Sequence, residues 1–154
     1  MSPIISVKWS CLRLSEMSAQ RVHEVLKNRQ EVFVLEQHCL YPDIDEIDIS
    51  CFHMMGYNSN QTLVAYCRLI EPGIVFNELA IGRVLITKQY RGMGLARRLM
   101  FEAHKYCETV IGSKEVRLNA QLYLQKFYEG IGYQCVSNPY DDDGIMHIEM
   151  LRKG

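Results

Sequence analysis

The sequence predicts a three-layer α/β sandwich (α+β in some schemes) in which a mixed, mostly antiparallel central sheet is flanked by helices. Three observations carry that expectation. The chain has 154 residues, close to the commonest size of a single domain and long enough to bury a core. Short apolar and aromatic runs alternate with polar, turn-prone stretches, and between them lie segments whose apolar residues recur at helical spacing. No low-complexity segment, internal repeat or Pro/Gly/Ser linker divides the chain, so residues 1–154 are expected to pack as one domain.

The opening "IISVKWSCL" alternates well enough for a strand. After it, "SEMSAQRVHEVLKNRQEVFVLEQ" begins with serines able to cap a helix and sets Val22, Val25, Leu26, Arg29, Val32 and Phe33 at helical spacing, which predicts a helix over about 18–36. "CLYPDIDEIDIS" reads as an acidic loop. "CFHMMGYN", "QTLVAYCRLI" and "ELAIGRVLIT" read as three strands of a meander, the first two joined at the turn-prone "NSNQ". Leu95, Leu99, Met100, Ala103 and Tyr106 predict a helix over 93–110. "EVRLNA" is a short strand, "LYLQKFYEGIGY" a helix closed by Gly130 or Gly132, and "QCVSN" and "IMHIEMLRK" close the sheet.

Composition excludes several function classes. With 17 Lys plus Arg against 18 Asp plus Glu, the chain lacks the positive excess with which proteins neutralise phosphate backbones, so nucleic acid is not an expected partner. No apolar stretch approaches the roughly 20 residues that span a bilayer, so no membrane association is expected. The six cysteines are scattered without a C-x-x-C pair, and no basic-then-apolar signal segment opens the chain. Reduced thiols in a cytoplasmic protein are the expectation, with a homodimer left open.

One stretch, "YRGMGLARRLMF" at 90–101, places two glycines between an apolar strand and a helix. A plain turn would account for them. Neither G-x-x-x-x-G-K-S/T nor G-x-G-x-x-G is present, since Arg97 stands where the second pattern needs glycine. Glycine nevertheless lets the backbone approach a ligand closely, and the first N–H groups of a helix have no partners within it. With the positive end of the helix dipole they hold a pyrophosphate.

A strand, then Arg91-Gly92-Met93-Gly94-Leu95-Ala96, then a helix resembles the acetyl-coenzyme A loop of the GNAT superfamily of N-acetyltransferases, Q/R-x-x-G-x-G/A. "FYEGIGY" is similar to the tyrosine-bearing helix end of that superfamily. "RQEVFVLEQHCLYPDIDEID" and "DDDGIMHIEM" resemble, more narrowly, its ElaA/YjcF-like branch. The resemblance implies a GNAT-like acyl-CoA N-acyltransferase fold, with acetyl-coenzyme A as cosubstrate and a primary amine as acceptor. Val84, Leu85 and Ile86 would offer backbone groups to the pantetheine arm. Gly92, Met93, Gly94, Leu95, Ala96 and Arg97 would supply backbone donors to the pyrophosphate, and Arg91 would add charge-assisted contacts. Many relatives carry Asn seven residues before the tyrosine; here Gln121 holds that place, with Asn119 two positions earlier, and both are expected to anchor the arm.

Tyr128 matches the superfamily's general acid, whose work is to protonate the departing thiolate. Two groups are candidates for the base that deprotonates the acceptor. Glu78 begins the strand leading to the loop, near where some relatives place a catalytic glutamate, although the nearest matching position is Ala80. His147 lies in the branch-specific "GIMHIEM". Phe33, Glu36, Gln37 and His147 are expected to wall the acceptor pocket, with Tyr41 as a further aromatic neighbour. Most carboxylates of "PDIDEID" are expected to be solvated, with one or two favouring a cationic acceptor, and no metal is expected because calcium-loop spacing is missing. The implied reaction is acetyl transfer to a small-molecule amine by direct attack in a ternary complex. A non-catalytic module that binds coenzyme A and regulates a partner is the alternative.

Overall fold

The computed structural model describes residues 4–154, so the first three residues of the expected domain lie outside it. β1 (Lys8–Arg13), β2 (Phe52–Tyr57), β3 (Leu63–Ile70) and β4 (Leu79–Ile86) form an antiparallel meander. β5 (Val116–Gln121) lies parallel to β4, and β8 (Ile145–Arg152) antiparallel to β5. The short β6 (Gln134–Cys135) and β7 (Tyr140–Asp142) both pair with β8, completing an eight-stranded mixed sheet.

Helices cover both faces. α1 (Ala19–Arg29) starts where the Ser18 hydroxyl accepts a hydrogen bond from the Arg21 amide at 3.2 Å, and it packs Val25 against Met55 and Tyr66. α3 (Leu95–Tyr106) and α4 (Gln125–Glu129) lie on the other face, burying Leu99, Ala103 and Tyr128 against Val64 and Leu118. β3, paired on both edges and covered on both faces, is buried along its whole length, which is why it reads as a nearly continuous apolar run. The β2–β3 turn is closed by Asn58, whose side-chain oxygen accepts from the Asn60 and Thr62 amides, both at 3.0 Å.

Several elements differ from expectation for identifiable reasons. The first strand begins at Lys8 rather than Ile4, where its pairing with Tyr57 starts. The helix expected over 18–36 is α-helical only to Arg29 and runs on as wider π-helical turns over Gln30–Glu36. The helix expected over 122–133 shortens to a 3₁₀ turn at Leu122–Leu124 followed by α4, after which Gly132 takes a φ of 104° that few other residues adopt. β7 was not anticipated, because its "YDD" has no alternation of its own and is held only by pairing with β8.

The acidic loop is the largest correction. Asp43 and Asp48 are buried rather than solvated, and 47–50 form a single helical turn, α2 (Ile47–Ser50). Arg29, with no exposed surface, donates to the Asp43 carboxylate at 3.0 Å and to that residue's carbonyl at 2.7 Å, and also binds Asp48. Arg68 donates to Asp45 at 2.7 Å and to Asp48 at 3.1 Å, while Arg83 donates to Asp43 at 2.7 Å. Three guanidinium groups thus meet three carboxylates, as burial of charge demands. Burial alone would raise the Asp48 carboxyl, but hydrogen bonding and charge from Arg29 hold it below the usual carboxylate range. Asp48 also groups with Cys51 and His53, but both ring nitrogens of His53 are engaged, one with the Asp48 carbonyl at 2.9 Å and the other with the Tyr66 hydroxyl at 2.7 Å.

Candidate active site

β4 and β5 share only two paired positions, Leu79 with Val116 and Ala80 with Arg117, and beyond them the strands diverge. The gap opens into a cavity of about 750 Å³ reaching from the glycine loop to the π-helical turns that follow α1 and to the start of β8.

At one end, the chain leaves β4, makes a 3₁₀ turn at Lys88–Tyr90 and enters α3, with Gly94 as the residue before its first turn. Gly92 and Gly94 have φ of 79° and 77°, and nothing lies within 4 Å of where a Cβ would stand on either. No side chain caps the α3 N-terminus. Bare backbone, open space and free helical N–H groups fit a pyrophosphate. Gly92, Gly94, Leu95, Ala96 and Arg97 border the cavity, whereas Met93 is 43% exposed and stands outside its lining.

In the middle, Val84, Leu85 and Ile86 of β4 face Leu118, Asn119 and Gln121 of β5 across the gap. Leu85 turns its side chain into the α1-side core, while Val84 and Ile86 pack towards α3. Tyr128 is 4% exposed yet borders the cavity from α4, and burial raises its phenol above the ordinary tyrosine value.

At the other end stand Phe33, Glu36 and Gln37 from the π-helical turns and their end, and His147 from β8. The Gln121 amide donates to the Gln37 side-chain oxygen at 3.2 Å. His147 Nδ1 lies 2.7 Å from the Ile145 carbonyl, and because a carbonyl only accepts, Nδ1 carries a hydrogen. In the neutral ring Nε2 then keeps its lone pair. Tyr140 stacks on this imidazole with ring centroids 6.1 Å apart. The Cys39 thiol donates to the Asp143 carbonyl at 3.3 Å, tying the acidic loop to the β7–β8 turn.

Residues 14–153 match the family model described as an acetyltransferase (GNAT) domain. The chain belongs to the GNAT acetyltransferase family. It is 40% identical over 147 residues to the UPF0039 protein sll0451 of Synechocystis sp., an overlap of 96% of each chain. The crystal structure of Escherichia coli ElaA superposes with a TM-score of 0.88 at 36% identity, covering 96% of this chain and 99% of that one. The crystal structure of an acyl-CoA N-acyltransferase from Pseudomonas aeruginosa gives the same TM-score, 0.88, at 34% identity with the same coverage of 96% and 99%. These likenesses put the chain in the ElaA-like branch, and family and fold together support acyl transfer from a coenzyme A thioester.

Three charged residues expected at this site are ion-paired within the protein. Glu78 stands apart from the cavity lining, where Arg117 donates to both its carboxylate oxygens at 3.0 and 3.1 Å. Those hydrogen bonds hold its carboxyl below the usual range, which makes it a poor proton acceptor. Arg91 and Glu36, expected at the phosphates and at the acceptor respectively, are joined to each other by two hydrogen bonds of 2.8 and 3.1 Å. Arg91 hydrogen bonds hold Glu36 below the usual carboxylate range. Tyr41 and, from the acidic loop, Asp45 also border the cavity, and the structure adds Arg83, which no local motif signals. The otherwise apolar run of β4 was the one available hint for Arg83, since a charged residue inside an apolar strand requires a partner. Among the described residues no helix is long and apolar enough to cross a membrane.

Proposed function

We propose that the chain transfers an acetyl group from acetyl-coenzyme A to the primary amine of a small molecule by direct attack in a ternary complex. The observation that carries this reading is the continuity of one cavity from the Gly92–Ala96 loop, past Tyr128, to His147. The loop backbone takes the pyrophosphate, the diverging edges of β4 and β5 flank the pantetheine arm, and the side-chain amides of Asn119 and Gln121 anchor it. Phe33 and Gln37 wall the acceptor. Arg91 lies where phosphate oxygens compete with Glu36 for its guanidinium, and a Glu36 released in this way faces the acceptor ammonium.

His147 serves as the base, with Nε2 as the accepting atom and the Ile145 carbonyl fixing the tautomer. His147→Gln is expected to lower kcat/KM about a hundredfold near neutral pH, the low end for a general base. An ordinary primary amine has a pKa of about 10.4, so more of the acceptor becomes neutral without help as pH rises, and the defect should shrink in that direction. A pH profile of wild type and variant measures it; a defect that is constant across pH would assign His147 to packing.

The six cysteines are free, which supports a reducing, cytoplasmic setting for the enzyme. The decisive assay offers acetyl-coenzyme A with small mono- and diamines, Lys-bearing peptides and free-N-terminus peptides, reading thiol release and product mass. Amine-dependent thiol release with acetylated small amines is expected. Efficient acetylation of peptides alone would overturn the acceptor class, and tight binding with no turnover on any acceptor would favour the regulatory module.

A further inference from the structure

The pairing of β3 with β4 runs Tyr66 with Leu85 and then Arg68 with Gly82, so Cys67 alone opposes both Arg83 and Val84. This is a bulge, and the first of its two residues, Arg83, has a φ of 52°. A left-handed residue at that place is ordinarily glycine, because a Cβ there crowds the following carbonyl. Gly82 sits immediately before it at an ordinary φ, so the chain has an unstrained glycine beside a strained arginine.

The side chain of Arg83 is held on two sides. Its Nε donates to the Asp43 carboxylate at 2.7 Å and its Nη2 to the Asp43 carbonyl at 3.1 Å, while the guanidinium lies over the Tyr41 ring at 5.3 Å. Asp43 is itself fixed by the fully buried Arg29 at 3.0 Å and by the Tyr41 hydroxyl at 3.1 Å. The bulge they hold includes Val84 and lies directly before Leu85, in the part of β4 that has already left β5 and borders the cavity.

The structure assigns Arg83 the role of a positioning residue: clamped by Asp43, it keeps β4 in a left-handed bulge and so aims the Val84–Leu85 backbone at the pantetheine arm of the bound coenzyme. This rests on the cofactor reading above and adds to it the device by which the strand edge is shaped. Arg83 acts through the main chain, and its guanidinium needs no contact with either substrate.

Substitutions at 83 separate backbone from side chain. Arg83→Ala removes the clamp and keeps the Cβ, and the left-handed penalty corresponds to roughly five- to thirtyfold in an equilibrium. Arg83→Gly removes the clamp and the penalty together, and Arg83→Asn tolerates the conformation partly. Calorimetry with coenzyme A is therefore expected to show affinity falling by about tenfold in R83A, with R83N intermediate and R83G recovering most of the loss. The nucleotide fragment 3′-phosphoadenosine 5′-diphosphate, which stops short of β4, should bind all of them alike, and that equality also reports that the variants are folded. Equal losses in R83G and R83A would show that the guanidinium itself makes the contact, and an unaffected R83A would show that the bulge needs no clamp; either overturns the assignment. Weakened binding of the nucleotide fragment in R83A would overturn it as well. A wild-type protein that binds no coenzyme A removes the cofactor reading first, and this inference with it.

Discussion

Gly94→Asp is expected to abolish coenzyme A binding while the fold survives. The position has a φ of 77°, precedes the first turn of α3, and has nothing within 4 Å of a built Cβ. Asp is among the residues that tolerate left-handed backbone, and a carboxylate at a helix start interacts favourably with the dipole, so the apoprotein should lose little stability. The same carboxylate would occupy the place proposed for the pyrophosphate at the N–H groups and add like charge beside it. A dissociation constant raised by about a hundredfold or more is expected, roughly 3 kcal/mol, read by calorimetry beside a thermal melt. Gly94→Ala, with strain but no charge, should fall between. A folded Gly94→Asp protein with unchanged affinity would remove this loop from the cofactor site.

Tyr128→Phe is expected to lower kcat by about 10²- to 10³-fold, the loss typical of one donor to developing charge, while leaving coenzyme A affinity near wild type. Phe keeps the ring, which packs edge-on against Phe127 at 5.1 Å and Tyr133 at 5.6 Å, so the loss is confined to the hydroxyl. The chemistry sets what that hydroxyl does. A thiol has a pKa near 8.5 and a tyrosine one near 10, and burial pushes Tyr128 higher still. Full proton transfer from this phenol to a departing thiolate is therefore uphill by more than about 2 kcal/mol. In the proposed reaction Tyr128 would instead act by donating a hydrogen bond to the sulfur as charge develops, while the proton released by the attacking amine balances the reaction. Because the phenol stays protonated across the working range, the kcat profile below about pH 10 should show no limb that disappears in the variant. Single-turnover thiol release with an accepted amine measures both, and full turnover in the variant would make Tyr128 a packing residue.

Much of the cavity was legible because it is built from contiguous segments. The strand, glycine pair and helix start at 79–106 follow one another in sequence, so backbone geometry and the helix dipole define that end of the site without reference to the rest of the chain. The same holds for His147 and its partner two residues away, Ile145. Glu78 shows where this kind of reading stops. Its place in the strand suggested a base, and only Arg117, 39 residues away, shows that the carboxylate is already taken.

Local pattern by itself determined most of the strands and helices and the backbone geometry of the glycine loop, since hydrophobic period and glycine conformations act over a few residues, while β7 and α2 depended on partners elsewhere in the chain. Which charges are free was decided only by tertiary structure. Arg91 meets Glu36 across 55 positions, and Arg83 meets Asp43 across 40. Asp43 is buried, where an unpaired charge would lose its hydration, whereas Arg91 and Glu36 meet at the exposed rim of the cavity; in both cases pairing across the fold, which leaves no periodic trace in the sequence, selects which arginines and carboxylates remain available to a substrate.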